Sequence, residues 1–323
     1  MPPYLVADIG GTNARFALVT EPSAGQFHFD HVRILSAGAY PSFDAALRTY
    51  FDDIGDLRPT AACIAIAGPV TGDAVRMTNL NWHFSCQEVA ERFKLDHFLA
   101  INDFAAVAAA CSKLDGEHLV CVKPGKGLEG ATRAVFGPGT GLGVAGLINN
   151  RGRWLPNPSE GGHVNIAPAT EFEADVIKAA MTELGHVSAE SFISGPGLVR
   201  LYRAVCRVRG VRAEELKPFE ITEEALASGD NLCFDALTTF CSFAGSFAGN
   251  LALTYGAQDG IYIAGGILPR FSDFLINSPF GRRFCDKGIM SHYLQDIPVN
   301  LIVHPETAFV GAAAALEQHL HHR

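Results

Sequence analysis

Near the start of the chain, two short apolar runs, residues 4–7 and 14–19, are separated only by Asp8-Ile9-Gly10-Gly11-Thr12-Asn13. Strands joined by so short a glycine-rich connection must fold back on each other, which predicts a β-hairpin. Without side chains in the way, the amides of such a turn can gather round an anion. Thr12 adds a hydroxyl donor, and the Asp8 carboxylate can hold Mg²⁺ through water. A plain hairpin turn explains Asp-x-Gly-Gly equally well, so the segment acquires meaning only from what accompanies it.

A second hairpin of the same layout follows. Residues 134–136 read as a strand, Gly137-Pro138-Gly139-Thr140-Gly141 as a turn, and residues 142–148 as the returning strand. The Gly11-Thr12 and Gly139-Thr140 pairs hint at an internal duplication. Gly141-x-Gly143-x-x-Gly146 has the letters of a dinucleotide fingerprint, but that motif must open a helix, and here the strand pattern continues. A Rossmann NAD site is therefore rejected, and no G-x-x-x-x-G-K-[ST] segment exists to make a P-loop.

Between and beyond the hairpins the chain alternates helical and strand patterns. Residues 41–54 have helical spacing, residues 61–67 form a buried apolar run ending at Gly68-Pro69, and residues 97–101 form a strand leading into a helix over 104–114. A loop covers 124–132, where a domain junction is expected, and another covers 156–163. Thr170-x-x-Glu173 is a capping-box signature for a helix running to Leu184, and Ser194-Gly-Pro-Gly opens another. A long helix spans 232–255, a strand spans 260–264, and a last strand (299–303) precedes a last helix (307–320), whose His-rich tail reads as a frayed end. Hairpins mixed with βα steps predict an α/β chain with mixed sheets.

Four further groups can carry chemistry. Asn102-Asp103 lies where a strand ends and a helix begins, the ligand-binding edge of open α/β sheets. There a carboxylate can take a proton from a hydroxyl, although Asp103 on its own reads as a helix cap with its ionised form favoured. Glu160-Gly161-Gly162-His163 lets two polar side chains crowd one small ligand, as suits paired hydrogen bonds to sugar hydroxyls. Neighbouring cysteines or histidines at metal spacing are missing there. Glu190 is a lone acid that fits a solvated face equally well. Gly265-Gly266 ends an apolar strand and offers bare backbone to a ring, or simply a turn.

Composition narrows the classes. The 323 residues suggest two domains, 48% hydrophobic and 18% charged content is that of a globular protein, and the 33 glycines are clustered. A net charge of −9 without a basic stripe argues against a nucleic-acid partner. Eight cysteines without a C-x-x-C pair read as reduced, mostly buried thiols of a cytoplasmic protein. No signal peptide is expected at the N-terminus. The apolar stretch 238–257 is interrupted by Ser242, Ser246 and Asn250 and contains Gly245-x-x-x-Gly249, so it reads as a closely packed core helix stopped by Gly256 rather than a membrane span.

In order and spacing these motifs resemble the bacterial glucokinases of the proteobacterial type, in the hexokinase–actin–heat-shock ATPase superfamily. The resemblance runs from Leu5-Val-Ala-Asp-Ile-Gly-Gly-Thr-Asn-Ala-Arg15 through Ile101-Asn-Asp-Phe104, Gly139-Thr-Gly-Leu-Gly143, Glu160-Gly-Gly-His163, His186-Val-Ser-Ala-Glu190 and Ser194-Gly-Pro-Gly197 to Ile263-Ala-Gly-Gly-Ile267 and the last helix. It implies an actin-like (RNase H-like) two-domain fold with an interdomain sugar cleft, residues 1–113 with 304–323 forming the smaller domain and 114–303 the larger. It implies ATP-dependent phosphorylation of D-glucose at the 6-hydroxyl, feeding glycolysis. Asp8, Ile9, Gly10, Gly11, Thr12, Asn13, Gly139 and Thr140 would lie on the ATP phosphates, Asp8 would hold Mg²⁺ through water, and Gly265 and Gly266 would lie near the adenine. Asn102, Asp103, Glu160, His163 and Glu190 would hold glucose, with Asp103 as general base.

A homodimer is common in the family. The cysteine-rich zinc loop of repressor-type sugar kinases is missing, since no cysteine lies between Cys121 and Cys206, so no structural zinc is expected. A kinase for another hexose or an N-acetyl hexosamine is the nearest rival, and polyphosphate as donor leaves no readable motif. A sugar-responsive regulator would need a DNA-binding module, and a chaperone-like ATPase would lack the Glu160–His163 loop. No membrane partner is expected.

Overall fold

The computed structural model describes residues 3–23, 26–68, 70–77 and 80–321. The chain divides into two compact units, one of Met1–Asp115, Asn150–Pro158 and His304–Arg323, the other of Gly116–Asn149 and Ser159–Val303. Pro69, His322 and Arg323, which figure in the sequence reading, lie outside the described residues.

The first unit is built on a five-stranded sheet in the order Gln26–Ser36, Asn13–Ser23, Tyr4–Ile9, Ala61–Ile66, His97–Asn102. The first three strands are antiparallel neighbours, and the last two run parallel to Tyr4–Ile9. Side-chain alternation sorts the sheet into two cores, as a pleated strand requires. Leu5, Ala7, Ile9, Phe16, Ile64 and Ile66 enter one, with Phe43 and Tyr50 of the helix Phe43–Asp53. Val6, Ala17, Val19 and Cys63 enter the other, beneath Phe309 and Leu316 of the last helix, Thr307–His321.

In the second unit Leu142–Asn150, Arg133–Pro138, Gly260–Ile263, Val299–Ile302 and Leu119–Lys123 lie side by side in that order. The hairpin is again antiparallel, and two parallel strands again follow on its far side. The second unit thus repeats the strand plan of the first, as the two Gly-Thr turns hint.

The helix Leu232–Tyr255 is, among the described residues, the one long and apolar enough to cross a membrane, and 78% of its apolar window is buried inside the protein. A Cβ on Gly245 or Gly249 would run into the carbonyls of Phe280 and Phe284, so these glycines let the helix Phe280–Cys285 lie directly on it. Gly256, at φ 62°, ends the long helix in the left-handed region.

The structure corrects several sequence expectations. The first turn shrinks to Gly10–Thr12, because Asp8, Ile9 and Asn13 continue the strand ladder, with Asp8 opposite Arg15 and Ile9 opposite Ala14. Residues 156–163 are not a free loop: the strand Arg153–Ser159 covers the first part and a single 3₁₀ turn, Gly161–His163, the second. The loop 124–132 lies inside the second unit, which begins at Gly116, and Asn150–Pro158 groups with the first. Thr170 accepts from the Glu173 amide, but the Glu173 carboxylate turns to the Ala169 amide (2.7 Å) and to the buried Arg283 (3.0 Å), so the capping box is replaced by an ion pair. The outer strand Gln26–Ser36, the small sheet of Val70–Thr71, Ala74–Arg76 and His83–Ser85, and the helices Cys86–Phe93 and Pro218–Ala227 go unread in the sequence.

The last helix lies against Asp103–Ala110 so closely that a Cβ on Gly311 would collide with the Ala106 carbonyl. Overpacking of this kind costs roughly 1–3 kcal/mol. Gly311→Ala is expected to lower the melting temperature and reduce turnover, because it displaces the helix that begins at Asp103. Gly38→Ala, where nothing lies within 4 Å of the added atom, is the control and should change neither in thermal melts and a coupled ADP assay.

Candidate active site

In the first unit, parallel register brings three strand ends level: Ile9 is opposite Ile66, and Ile66 is opposite Asn102. Asp8 therefore lies one residue inside this carboxyl edge and Asp103 one residue beyond it. Beside them is the glycine turn. The Gly10 amide is taken by the Asn13 carbonyl (2.9 Å) and the Thr12 carbonyl by the Ala37 amide (2.8 Å), while the amides of Gly11 and Thr12 have no partner among the described residues. Two free amides next to the exposed Thr12 hydroxyl make an anion nest. Ile9 can contribute only backbone, since its side chain is 1% exposed in the core.

The helix cap is Asn102 rather than Asp103. Asn102 Oδ1 accepts from the amides of Phe104 (2.9 Å) and Ala105 (3.2 Å), and its Nδ2 donates to the Gly68 carbonyl (3.1 Å). The Asn102 side chain also hydrogen-bonds the Asp103 carboxyl. Asp103, now the first helical residue, accepts from the Phe104 amide (2.8 Å) through one oxygen. The expectation that the helix N-terminus keeps Asp103 readily ionised is overturned. Burial pushes its carboxyl above the usual carboxylate range, the nearby charge of Asp8 adds to the rise, and the Phe104 amide opposes it. Asp8 is also raised by burial, against the pull of the Arg15 guanidinium 3.7 Å away.

In the second unit, Gly139, Thr140 and Gly141 bridge the paired strands, with the Gly139 amide on the Gly141 carbonyl (2.8 Å). The Gly139 carbonyl accepts from Gly195 (2.8 Å), which opens the helix Gly195–Val208. Leu142–Asn150 continues as a strand, so the dinucleotide-like glycines are indeed a decoy. Glu190 is no solvated bystander: its Oε2 accepts from the Leu142 amide (2.8 Å), and its Oε1 lies 4.0 Å from His163 Nδ1. On the other side His163 Nε2 is 3.9 Å from Glu160 Oε2. Both separations exceed hydrogen-bonding distance, so the three side chains converge without saturating one another. Close approach explains the intervening glycine, since a Cβ on Gly162 would strike the Leu142 carbonyl. Backbone pairing of Val164 with Ala189 (2.8 Å) ties the His163 loop to the segment carrying Glu190.

Gly265 and Gly266 differ in kind. Gly265 sits at φ 88°, and a Cβ there would come within 2.5 Å of the Pro138 carbonyl, so the fold itself demands glycine. Gly266 has open space around it. Next to it a cavity of about 220 Å³ opens between Gly195, Leu198, Phe219, Leu226, Ile267 and Phe271, with Thr222, Glu223 and Arg270 on its wall. Sequence reading misses this cavity because its outer wall is the unread helix Pro218–Ala227. The signals available were Pro218 at a helix start and the outward-facing apolar Phe219 and Leu226, 47% and 48% exposed.

For a divalent cation the first unit offers hard carboxylate oxygen from Asp8, with Asp103 close enough to feel its charge. Among the described residues no group of three or more His, Cys, Asp or Glu is placed to hold a metal ion. The donor set suits Mg²⁺, which is held by one or two carboxylates together with water and substrate phosphates.

Two α/β units, each with a glycine-turn hairpin that feeds a mixed sheet, define the actin-like sugar kinase fold. The glucokinase family model matches residues 5–319. A glucokinase of Saccharophagus degradans is 55% identical over 318 residues, 98% of this chain and 99% of that protein. One from Shigella sonnei is 46% identical over 318 residues, 98% of each. The solved glucokinase of an Antarctic psychrotroph superposes with a TM-score of 0.93 at 41% identity, covering 98% of this chain and 99% of the other. The chain belongs to the glucokinase family.

The raised carboxyl of Asp103 has a stability consequence whose sign is fixed. Its folded pKa lies above the unfolded one, so in that window the native state binds more protons and stability falls as pH rises. Its ionisation therefore costs stability at neutral pH. Asp103→Asn, which keeps the oxygen facing Phe104, is expected to melt higher than wild type at pH 7. The advantage should shrink as pH falls towards the ordinary carboxylate range. A variant that melts lower at pH 7 would contradict the burial argument.

Proposed function

We propose that this chain is a glucokinase that transfers the γ-phosphoryl group of ATP to the 6-hydroxyl of D-glucose. The match to the glucokinase family over residues 5–319 carries the reading, and Asp103 at the carboxyl edge of the first sheet gives it a chemical centre.

Asp103 takes the proton of the 6-hydroxyl as that oxygen bonds to the γ-phosphorus, and the bond from phosphorus to the bridging oxygen breaks, releasing ADP and glucose 6-phosphate. A carboxyl held above the usual range is a better base than an ordinary aspartate. Asn102, Glu160, His163 and Glu190 orient the sugar through its other hydroxyls. Polar groups that await a hydroxyl discriminate strongly against a substrate that lacks it. The ATP phosphates lie on the turn Gly10–Thr12, flanked by Asp8, Ile9 and Asn13, and on Gly139 and Thr140. The adenine enters the cavity beside Gly266, whose apolar walls suit a planar base and whose rim reaches Gly139 through Gly195. Asp8 would hold Mg²⁺ through water, and the ion would supply neutralisation of the phosphate charge. A cytoplasmic homodimer accompanies this reading on the family resemblance alone.

Asp103→Ala is expected to lose roughly 10²–10⁴-fold in turnover, the usual worth of a positioned base. Glucose binding, followed by calorimetry, should remain measurable. Near-normal turnover in a coupled ADP assay would remove Asp103 from the role of base.

A further inference from the structure

We propose that Arg15 is a positioning residue. It fixes the Asp8 carboxylate in the orientation that receives Mg²⁺ through water, and the ring of Phe309 holds Arg15 in turn. The inference rests on the reading of Asp8 given above.

Arg15 and Asp8 are direct partners across the antiparallel hairpin, so their side chains project on the same face of the sheet. That face is the one covered by the last helix. The guanidinium carbon lies 4.9 Å from the centre of the Phe309 ring, within cation–π range. Phe309 is fully buried and packs on Phe29 with ring centroids 5.6 Å apart, so the platform under the guanidinium is rigid. Arg15 Nη1 stands 3.7 Å from Asp8 Oδ2, too far for a direct hydrogen bond and close enough to steer the carboxylate by charge. Its buried Nε has no hydrogen-bond partner. The Arg15 guanidinium is thus stacked on a ring and aimed at a single carboxylate. A lysine offers the charge without the planar stacking surface.

The test titrates ADP into the full-length protein by calorimetry with and without Mg²⁺, and reads the factor by which Mg²⁺ tightens ADP. Partners that orient a metal-binding group typically change metal affinity by about ten-fold or more. Arg15→Met and Asp8→Asn are each expected to reduce the factor by about that amount, and Arg15→Lys to recover part of it. The double variant should be no worse than Asp8→Asn alone, because Arg15 acts through Asp8. A reduced factor in Asp8→Asn with an unchanged factor in Arg15→Met overturns the role of Arg15 and leaves the reading of Asp8 standing. An unchanged factor in Asp8→Asn overturns that reading and the proposal with it, and additive losses in the double variant overturn the proposal alone. Should Arg15→Met fail to fold, Phe309→Leu removes the ring platform while keeping apolar volume. A smaller drop in the factor is then expected, and an unchanged factor counts against the proposal.

Discussion

Parallel pairing of Tyr4–Ile9, Ala61–Ile66 and His97–Asn102 sets the chemistry of the first unit. Because the strands end level, a carboxylate from the first and a carboxylate just beyond the last are delivered to one partly desolvated edge. Burial raises the Asp103 carboxyl and the charge of Asp8 adds to the rise, while Arg15 across the hairpin restrains Asp8. A slip of one residue in this register would turn Asp8 to the opposite face, into the core that holds Leu5 and Ile9.

The second unit uses the same hairpin and parallel strands for different chemistry. Its turn carries no acid of its own. Glu190, from the short helix Ala189–Phe192, reaches the turn instead and occupies the Leu142 amide. With its other oxygen facing His163, Glu190 links the turn at Gly139–Gly141 to the Glu160–His163 loop in a single side chain. The turn and the loop are thus held by one short segment, which the backbone pairing of Val164 with Ala189 fastens in place.

Much of this was legible from residues alone, for identifiable reasons. Hairpins at Gly10–Gly11 and Gly139–Gly141 announce themselves because glycine between apolar runs has few other uses. The long core helix and its Gly256 stop were readable from periodicity and a helix-ending glycine. Asp103 reads from sequence as a cap and as a readily ionised acid; the first fails because the adjacent Asn102 takes the cap, the second because burial and the distant Asp8 act on the carboxyl. Asn102 holds the cap through Phe104 and Ala105, and the raised pKa comes from burial and Asp8. The role of Gly162 against Leu142, the pairing of Arg283 with Glu173, and the cavity walled by Phe219 and Leu226 are likewise tertiary facts. Short strands such as Val70–Thr71 and Ala74–Arg76 are too brief for a two-residue period to stand out.

Asp103 is proposed to receive the proton of the glucose 6-hydroxyl. The most direct measurement is a crystal structure with glucose and a non-hydrolysable ATP analogue bound together. The 6-hydroxyl oxygen is expected within about 2.6–3.2 Å of an Asp103 carboxylate oxygen. The terminal phosphate is expected at the turn Gly10–Thr12 and the base in the cavity beside Gly266. A ternary complex in which the 6-hydroxyl faces another acid, with Asp103 bonded only to its own helix, would contradict that role of Asp103.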